Sequence, residues 1–236
     1  MINSFICLDL ETTGLNPKTD KIIEIGAIRI ENGLEKGTFE TFVNPGRLLE
    51  ERIVELTGIR DEDLQDAPFI QEVLPEFFEF AGDLPLLGHS VLFDYSFLKK
   101  AAVNRKLTFE RDGIDTLKIA RKFLPELPSR SLGNLCEYFQ IPHQAHRALE
   151  DARATLRLYE ILREKFYGLE EAASVSETEI TTMSELEKGN SLFLPSKLIY
   201  QAKKDSPITK NQKERLYKLL QQHKIDTVYD ILQYAF

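Results

Sequence analysis

The sequence predicts a mixed α/β fold in which one β-sheet carries helices on its faces. Three apolar segments rich in β-branched residues come first in the 236-residue chain, and a turn at Asn32–Gly33 joins two of them. Short apolar runs then alternate with longer segments of helical periodicity. Strands in close succession, followed by alternating strands and helices, indicate an antiparallel start to a mixed sheet.

The individual elements follow from the spacing of apolar residues. Alternating or continuous apolar runs are typical of strands, and apolar residues on one helical face are typical of helices. Strands are predicted over 4–10, 21–31, 38–45, 84–90 and 113–115. Helices are predicted over 48–56, 69–80, 91–104, 116–123, 131–139 and 148–166.

The composition changes near residue 168 and predicts three parts. Residues 170–187 contain six Glu, several Ser and Thr and little apolar periodicity, as is typical of a linker. Residues 195–224 carry eight Lys or Arg against two acids. We therefore expect a main domain over 1–168, an acidic linker over 169–194 and a small helical module over 195–236.

The overall composition restricts the class of protein. The chain is 42% hydrophobic and 29% charged, and its formal net charge is −8. Its apolar runs are too short to cross a bilayer, and a signal-peptide pattern is lacking. Cys7 and Cys136 both lie in apolar runs, so we expect buried, reduced thiols and a cytoplasmic location. The negative charge argues against wrapping of duplex DNA, but it is compatible with an enzyme that handles a nucleic-acid end in a small cleft.

Two carboxylates stand at the end of the first predicted strand, in the stretch DLETTGL. Side chains two positions apart on a strand face the same way, so Asp9 and Glu11 project together. Neighbouring ionised carboxylates repel each other, and a bound cation or protonation of one group relieves the repulsion. Oxygen ligands of this kind suit Mg²⁺ or Mn²⁺. Taken alone, the pair also fits two acids that cap a strand in solvent.

Three further side chains are candidates for the same cleft. Asp94 lies just inside a helix predicted after a buried strand, where loops leave the sheet and ligands commonly bind. His146 lies at the entrance of the last long helix and Asp151 lies one turn inside, so a loop-to-helix junction can direct both into one cleft. Taken alone, Asp94 also fits a first-turn acid favoured by the helix dipole. His146 alone also fits a surface residue, as we expect for His89 and His143.

The ordered set of motifs resembles one family. DLETTGL, HSVLFDYSFL and HRALEDA are similar to the three exonuclease motifs of the DEDD superfamily. The third motif, from His146 to Asp151, has the form of the DEDDh branch, which includes the proofreading epsilon subunit of bacterial DNA polymerase III. KIIEIGAIRI, GIDTLKIAR and LPSRSLGNLCEYFQI resemble further segments of that family. The resemblance covers about residues 4–166 and implies a ribonuclease-H-like mixed sheet.

The resemblance implies a metal-dependent 3′–5′ exonuclease. Four acids would hold two divalent cations, Mg²⁺ or Mn²⁺, around the scissile phosphate: Asp9, Glu11, Asp94 and Asp151. His146 would accept a proton from the attacking water, a task to which an imidazole is suited. The products would be nucleoside 5′-monophosphates, released from the 3′ end of DNA or, alternatively, of RNA. Single-stranded or frayed ends would be preferred, and a DNA polymerase or another replication or repair protein is the expected partner.

By the same resemblance, the first motif and an apolar wedge would hold the terminal nucleotides. Family members bind them with backbone N–H groups, which correspond here to Thr12, Thr13 and Gly14. Leu15 and Phe93 are the candidates for packing on the bases. Both positions also fit ordinary core side chains.

One position departs from the family pattern. Ser90 follows His89 in the second motif, where the family usually has Asn. We expect a modest change in the hydrogen bonds around this motif, because Ser can still donate and accept them.

Two other functions are open. A haloacid-dehalogenase-type phosphatase also begins with acid-x-acid-x-Thr, but His146 and Asp151 have no place in its site. A non-catalytic scaffold is disfavoured because all five ligand and base positions are present.

The basic segment 195–224 has three open roles. It could contact DNA, bind a protein partner or form a solvated module.

Overall fold

The computed structural model describes residues 3–173 and 180–182. Its strands are β1 Phe5–Thr12, β2 Ile22–Glu31, β3 Leu34–Phe42, β4 Leu86–Gly88, β5 Asp112–Asp115 and β6 Ile180–Thr182. Its helices are α1 Glu51–Thr57, α2 Asp61–Leu64, α3 Ile70–Ala81, α4 Leu92–Asn104, α5 Thr116–Phe123, α6 Leu132–Phe139 and α7 Ala148–Ala173. The helical module predicted over 195–236 lies outside the described residues.

The strands form one mixed sheet with the spatial order β3-β2-β1-β4-β5-β6. β2 pairs antiparallel with both β1 and β3, whereas β1, β4 and β5 run parallel to one another. The turn between β2 and β3 has positive φ at Asn32 (53°) and Gly33 (77°), which matches the right-handed twist of a two-residue hairpin. The predicted mixed sheet with an antiparallel start is confirmed.

The central strand β1 is covered on both faces, which explains its nearly continuous apolar sequence. Phe5 and Cys7 face the core beneath α5, α6 and α7, and the Phe5 ring lies edge-on to Tyr159 with centroids 5.5 Å apart. Ile6 and Leu8 alternate to the opposite face, where α4 contacts β1 and α3 contacts β2. The predicted buried, free thiols are confirmed for Cys7 and for Cys136 in α6.

Several boundaries differ from the predicted ones. α7 extends to Ala173 instead of ending at 166, and β6 (Ile180–Thr182) pairs antiparallel with β5. Helix and strand therefore continue into the segment that the sequence assigned to the linker over 169–194. The four-residue helix α2 was not predicted because it is too short to show apolar periodicity.

The parallel strands place their carboxyl ends at one edge of the sheet, where ligands bind in folds of this kind. Asp115 ends β5 there, and its carboxylate accepts hydrogen bonds from Leu117 N–H (2.9 Å) at the start of α5 and from Ser90 N–H (3.1 Å) in the loop after β4. The loops at this edge are thus tied together. Among the described residues, every helix is too short or too polar to cross a membrane.

Candidate active site

Two acids lie near the carboxyl end of β1. In the antiparallel register, Asp9 is opposite Gly26 and Glu11 is opposite Glu24 of β2. Glu11 is buried and Asp9 is partly buried. Burial and then the nearby Asp151 carboxylate raise the pKa of Glu11 to about 8. Burial and the other carboxylates of the site likewise raise the pKa of Asp9. The two acids therefore share an environment that opposes their ionisation.

Asp94 joins these acids from the first turn of α4. Its side chain is only 3% exposed, and its Oδ1 accepts a hydrogen bond from the backbone N–H of Leu10 at 3.1 Å. Leu10 lies between Asp9 and Glu11, so this bond fixes α4 against the strand that carries both acids. Burial raises the pKa of Asp94, although the bond from Leu10 opposes the rise.

His146 and Asp151 meet at the start of α7. His146 has a φ of 66°, a left-handed conformation that turns the chain into the helix. Its backbone N–H donates to Asp151 Oδ2 at 2.9 Å. One ligand atom each from Glu11, His146 and Asp151 lies within 4.8 Å of the others. The structure therefore brings the predicted helix junction to Glu11 of β1.

The donor chemistry of this cluster fits a divalent cation. Carboxylate oxygens are the ligands that Mg²⁺ and Mn²⁺ prefer, and Glu11, His146 and Asp151 could hold an ion together. Burial, together with neighbouring carboxylates, raises the pKa values of Asp9, Glu11 and Asp94, so their environment disfavours the negative charges. A bound cation would supply the missing positive charge.

A buried glutamate that the sequence reading overlooked supports this junction. Glu24 of β2 is 1% exposed, and its Oε1 accepts hydrogen bonds from Arg147 Nε (3.1 Å) and Nη2 (3.0 Å). Its Oε2 accepts from the backbone N–H of Ala148 at 3.0 Å. The signal was present, because Glu24 interrupts the apolar run KIIEIGAIRI in a strand that is otherwise buried.

Hydrogen bonds within the protein organise the loop after β1. Thr12 Oγ1 donates to the Gly14 carbonyl at 2.7 Å, and a Cβ added to Gly14 would lie 2.5 Å from Asp20 Oδ2. Thr13 N–H donates to the carbonyl of Lys21 at 2.8 Å. That N–H has an acceptor within the protein, so a nucleotide that uses Thr13 N–H would share or replace this bond.

The two apolar candidates differ in their surroundings. Leu15 is 51% exposed on the loop after β1, so it is not a core side chain. Phe93 in α4 is partly buried, and its ring centroid lies 5.0 Å from that of Phe97. Leu15 is thus the side chain of the two that solvent reaches more freely.

Two histidines predicted to be surface residues have specific partners instead. His89 Nε2–H donates to the Arg130 carbonyl at 2.9 Å, and its Nδ1 lies 2.8 Å from Thr116 Oγ1. Burial lowers the pKa of His89 to about 4. His143 Nε2 contacts a carboxylate oxygen of Asp151. The surface prediction was wrong for both because their partners lie on other segments of the fold.

Comparisons with known proteins place these features in a family. The family model described as Exonuclease matches residues 6–159. The epsilon subunit of DNA polymerase III from Aquifex aeolicus is 39% identical over 181 residues, which cover 75% of this chain and 90% of that protein. The PolC-type DNA polymerase III of Caldanaerobacter subterraneus is 42% identical over 181 residues, which cover 76% of this chain. The chain spans only 13% of the length of that PolC-type relative.

Solved structures show the same fold. E. coli exonuclease I in complex with a dT13 oligonucleotide matches with a TM-score of 0.65 and 20% identity, over 72% of this chain and 43% of that chain. The nuclease domain of 3′hExo bound to rAMP matches with a TM-score of 0.59 and 20% identity, over 69% of this chain and 92% of that chain. With a mixed sheet of the ribonuclease-H-like kind, clustered acids and these relatives, the chain belongs to the exonuclease family and is similar to the epsilon subunit of DNA polymerase III.

Proposed function

We propose that the chain hydrolyses phosphodiester bonds from the 3′ end of DNA, preferentially single-stranded or frayed, and releases nucleoside 5′-monophosphates. The observation that carries this proposal is the convergence of Glu11, His146 and Asp151, whose ligand atoms lie within 4.8 Å of one another. Asp9 and Asp94 are the two further proposed site residues. Asp94 lies close to Asp9, because it accepts a hydrogen bond from the strand that carries Asp9.

The acids of the cluster are the proposed ligands of divalent cations, Mg²⁺ or Mn²⁺. The four ligands are Asp9, Glu11, Asp94 and Asp151. When bound, the cations supply positive charge to the scissile phosphate and acidify a bound water. The protein holds these ligands on β1, α4 and α7, which are elements of regular structure, so their relative positions are well defined.

His146 is the proposed general base. Histidine side chains commonly accept protons in catalysis, and the ligand atom of His146 lies within 4.8 Å of those of Glu11 and Asp151. The bond from His146 N–H to Asp151 fixes the backbone from which the ring projects. His146 would thus take a proton from a water that attacks the phosphorus next to the acids.

The terminal nucleotides are proposed to bind beside the loop after β1. The backbone of Thr12 and Gly14 and the exposed side chain of Leu15 line this loop. Phe93 would extend the apolar surface from α4. Aromatic and aliphatic side chains accept any base on their faces, so a grip of this kind is tolerant of sequence.

The DNA assignment is supported by the DNA polymerase III relatives, which are 39% and 42% identical to the chain. It favours a role in replication proofreading or repair, with a DNA polymerase or another replication or repair protein as partner. RNA is the second candidate substrate, because similar folds include a 3′-exonuclease that recognises a histone mRNA stem-loop.

The test uses single-stranded DNA and RNA of the same sequence, labelled at the 5′ end. Each strand is incubated with Mg²⁺, Mn²⁺ or EDTA. We expect a ladder that shortens from the 3′ end with metal and is absent with EDTA, and faster shortening of DNA. Faster shortening of RNA would reverse the substrate assignment, and intact strands under every metal would refute the proposed activity.

A further inference from the structure

We propose that Glu24 is a positioning residue for this reaction. Through Arg147 and Ala148, Glu24 fixes the start of α7 on the sheet, and with it the two site residues of that segment, His146 and Asp151. The inference rests on the proposed function of the cleft. It assigns to Glu24 no contact with substrate.

Glu24 uses both carboxylate oxygens on the start of α7. Oε1 receives two hydrogen bonds from the guanidinium of Arg147, at 3.1 and 3.0 Å, and Oε2 receives one from Ala148 N–H at 3.0 Å. Ala148 is the first residue of α7, where backbone N–H groups lack helical partners and negative charge is favoured. Glu24 therefore accepts a hydrogen bond from an N–H group at the start of the helix and forms an ion pair with the neighbouring Arg147.

Gly26 allows this helix end to approach the sheet. Gly26 lies two positions after Glu24 on β2, so both point to the same face. A Cβ added to Gly26 would lie 2.1 Å from Leu149 N and 2.2 Å from the carbonyl carbon of Ala148. The backbone of α7 thus rests directly on β2, and Glu24 bonds it at the same place.

Glu24 bonds Arg147 and Ala148, which lie in the chain between the two site residues His146 and Asp151. Arg147 follows His146 directly, and the Arg147 carbonyl accepts the backbone N–H of Asp151 at 2.9 Å. A shift of Arg147 would therefore move both His146 and Asp151. Glu24 is the cross-strand neighbour of Glu11. Its hydrogen bonds to the start of α7 therefore also fix the position of His146 and Asp151 relative to β1. Displacements of about 1 Å can lower catalytic rates by about 100-fold.

At this position a buried carboxylate costs more free energy than an apolar side chain that only fills space. An apolar side chain of similar volume would fill the space without a buried charge. It would leave the buried N–H of Ala148 without its acceptor, and it would give Arg147 no fixed direction. Glu24 therefore supplies orientation that an apolar residue could not supply.

The experiment compares Glu24→Met, Glu24→Gln and Arg147→Met with wild type in the full chain. Glu31→Met is the matched control, because Glu31 is another β2 glutamate paired with an arginine, Arg29, at the far end of the strand. Three quantities are measured: kcat and KM for 3′-end shortening of single-stranded DNA, the Mn²⁺ concentration that half-saturates binding, followed by electron paramagnetic resonance of free Mn²⁺, and Tm in EDTA.

We expect Glu24→Met to lower kcat by about 10–100-fold and to weaken Mn²⁺ binding, as losses of outer partners of metal ligands do. KM is expected to stay within about twofold of wild type. Glu24→Gln should recover part of both losses, because its amide oxygen can still accept from Ala148 N–H. Glu31→Met should match wild type in kcat and in Mn²⁺ binding.

Wild-type kcat and Mn²⁺ binding in folded Glu24→Met would overturn the inference, even if its Tm is lower. If Glu24→Met does not fold, Arg147→Met decides, because it keeps the bond to Ala148 and must still lower kcat and weaken Mn²⁺ binding. If the wild type fails to cleave any strand, the proposed function fails. Mn²⁺ binding by the same variants then decides the inference by itself.

Discussion

His143 and Asp151 lie in contact beside the start of α7, eight positions apart in the chain. His143 Nε2 meets one carboxylate oxygen of Asp151, and the N–H of His146 donates to the other at 2.9 Å. Both oxygens of a proposed metal ligand therefore have partners within the protein. A cation that binds Asp151 must share or replace the contact with His143.

Replacing His143 by Ala is expected to enlarge the stabilisation that Mn²⁺ gives. The variant loses a partner of Asp151, so its Tm in EDTA should fall, whereas bound Mn²⁺ should restore the missing interaction. The measurement is the difference in Tm between Mn²⁺ and EDTA, for His143→Ala and for wild type. A smaller difference in the variant would show instead that His143 supports the ion.

Replacing Asp9 by Ala is expected to abolish nearly all activity and to leave the fold intact. The loss should exceed the roughly 100-fold upper range found for outer partners of metal ligands, because a proposed ligand itself disappears. Repulsion and burial disfavour the charge on Asp9, so Tm in EDTA should hold or rise. Asp112→Ala, at an exposed acid of β5, is the control for general effects of charge. A clear fall in Tm at Asp9 would reveal a structural role.

The pH dependence of stability is expected to carry a contribution from His89. Burial lowers the pKa of His89 to about 4 in the folded protein, whereas an unfolded histidine titrates near 6.5. Between these values the unfolded chain binds a proton that the folded protein does not. The free energy of unfolding therefore falls as pH is lowered from about 6.5 to 4, by up to about 3 kcal/mol.

His89→Gln provides the test, because its amide can still donate to the Arg130 carbonyl but does not titrate. Urea unfolding at several pH values gives the free energy of unfolding for both proteins. The decline between pH 6.5 and 4 should be smaller in the variant. If the free energy of unfolding falls equally with pH in both proteins, His89 is not the source of the decline.

Replacing Ser90 by Gly is expected to stabilise the protein. Ser90 has a φ of 71°, a left-handed conformation that costs a residue with a Cβ about 1–2 kcal/mol. Glycine avoids this cost but loses more entropy on folding, so the net gain should be about 0.5–1 kcal/mol. Asn, which tolerates this conformation, should also stabilise, whereas Ser90→Ala keeps the strain and should not. Thermal unfolding of the three variants separates these outcomes.

Replacing Gly26 by Ala is expected to displace the start of α7. The new Cβ would meet backbone atoms of Ala148 and Leu149, which cannot move aside as a side chain can. We expect a loss of about 1–3 kcal/mol in stability together with a fall in kcat. Gly37→Ala in β3 is the control, because its Cβ would lie 3.9 Å from the nearest atom, on Phe80. Equal effects of the two substitutions would argue against a close approach at Gly26.

The candidate acids stand at positions that local sequence patterns make visible, and the resemblance to the exonuclease motifs singled them out. Asp9 and Glu11 end a strand whose apolar period is clear, and the spacing from His146 to Asp151 lies at a helix start. Asp94 falls in the first turn of a helix after a buried strand. Periodicity within a short window of sequence predicts the elements on which these residues lie, whereas their joint role is what the resemblance of the ordered motifs implies.

The partners of these acids could not be predicted in the same way. Glu24 and Arg147 are more than a hundred positions apart, and their contact exists only after α7 has packed on β2. His143 was predicted to be a surface residue because nothing nearby in sequence shows that the chain folds back onto Asp151. Tertiary packing decided these contacts, and local propensity holds no information about it.

The distance along the chain between Asp9 and Asp151 has a consequence for synthesis on the ribosome. β1 is made first and α7 is made last among the elements of the site, and the Sγ of Cys7 reaches the carbonyl of Ala152 only in the finished fold. Contacts of such high sequence separation form late. A nascent chain that has emerged only as far as α6 carries three of the five proposed site residues and lacks the segment with the other two. The proposed site is therefore incomplete until translation has passed the start of α7, and we expect cutting to begin only after that point.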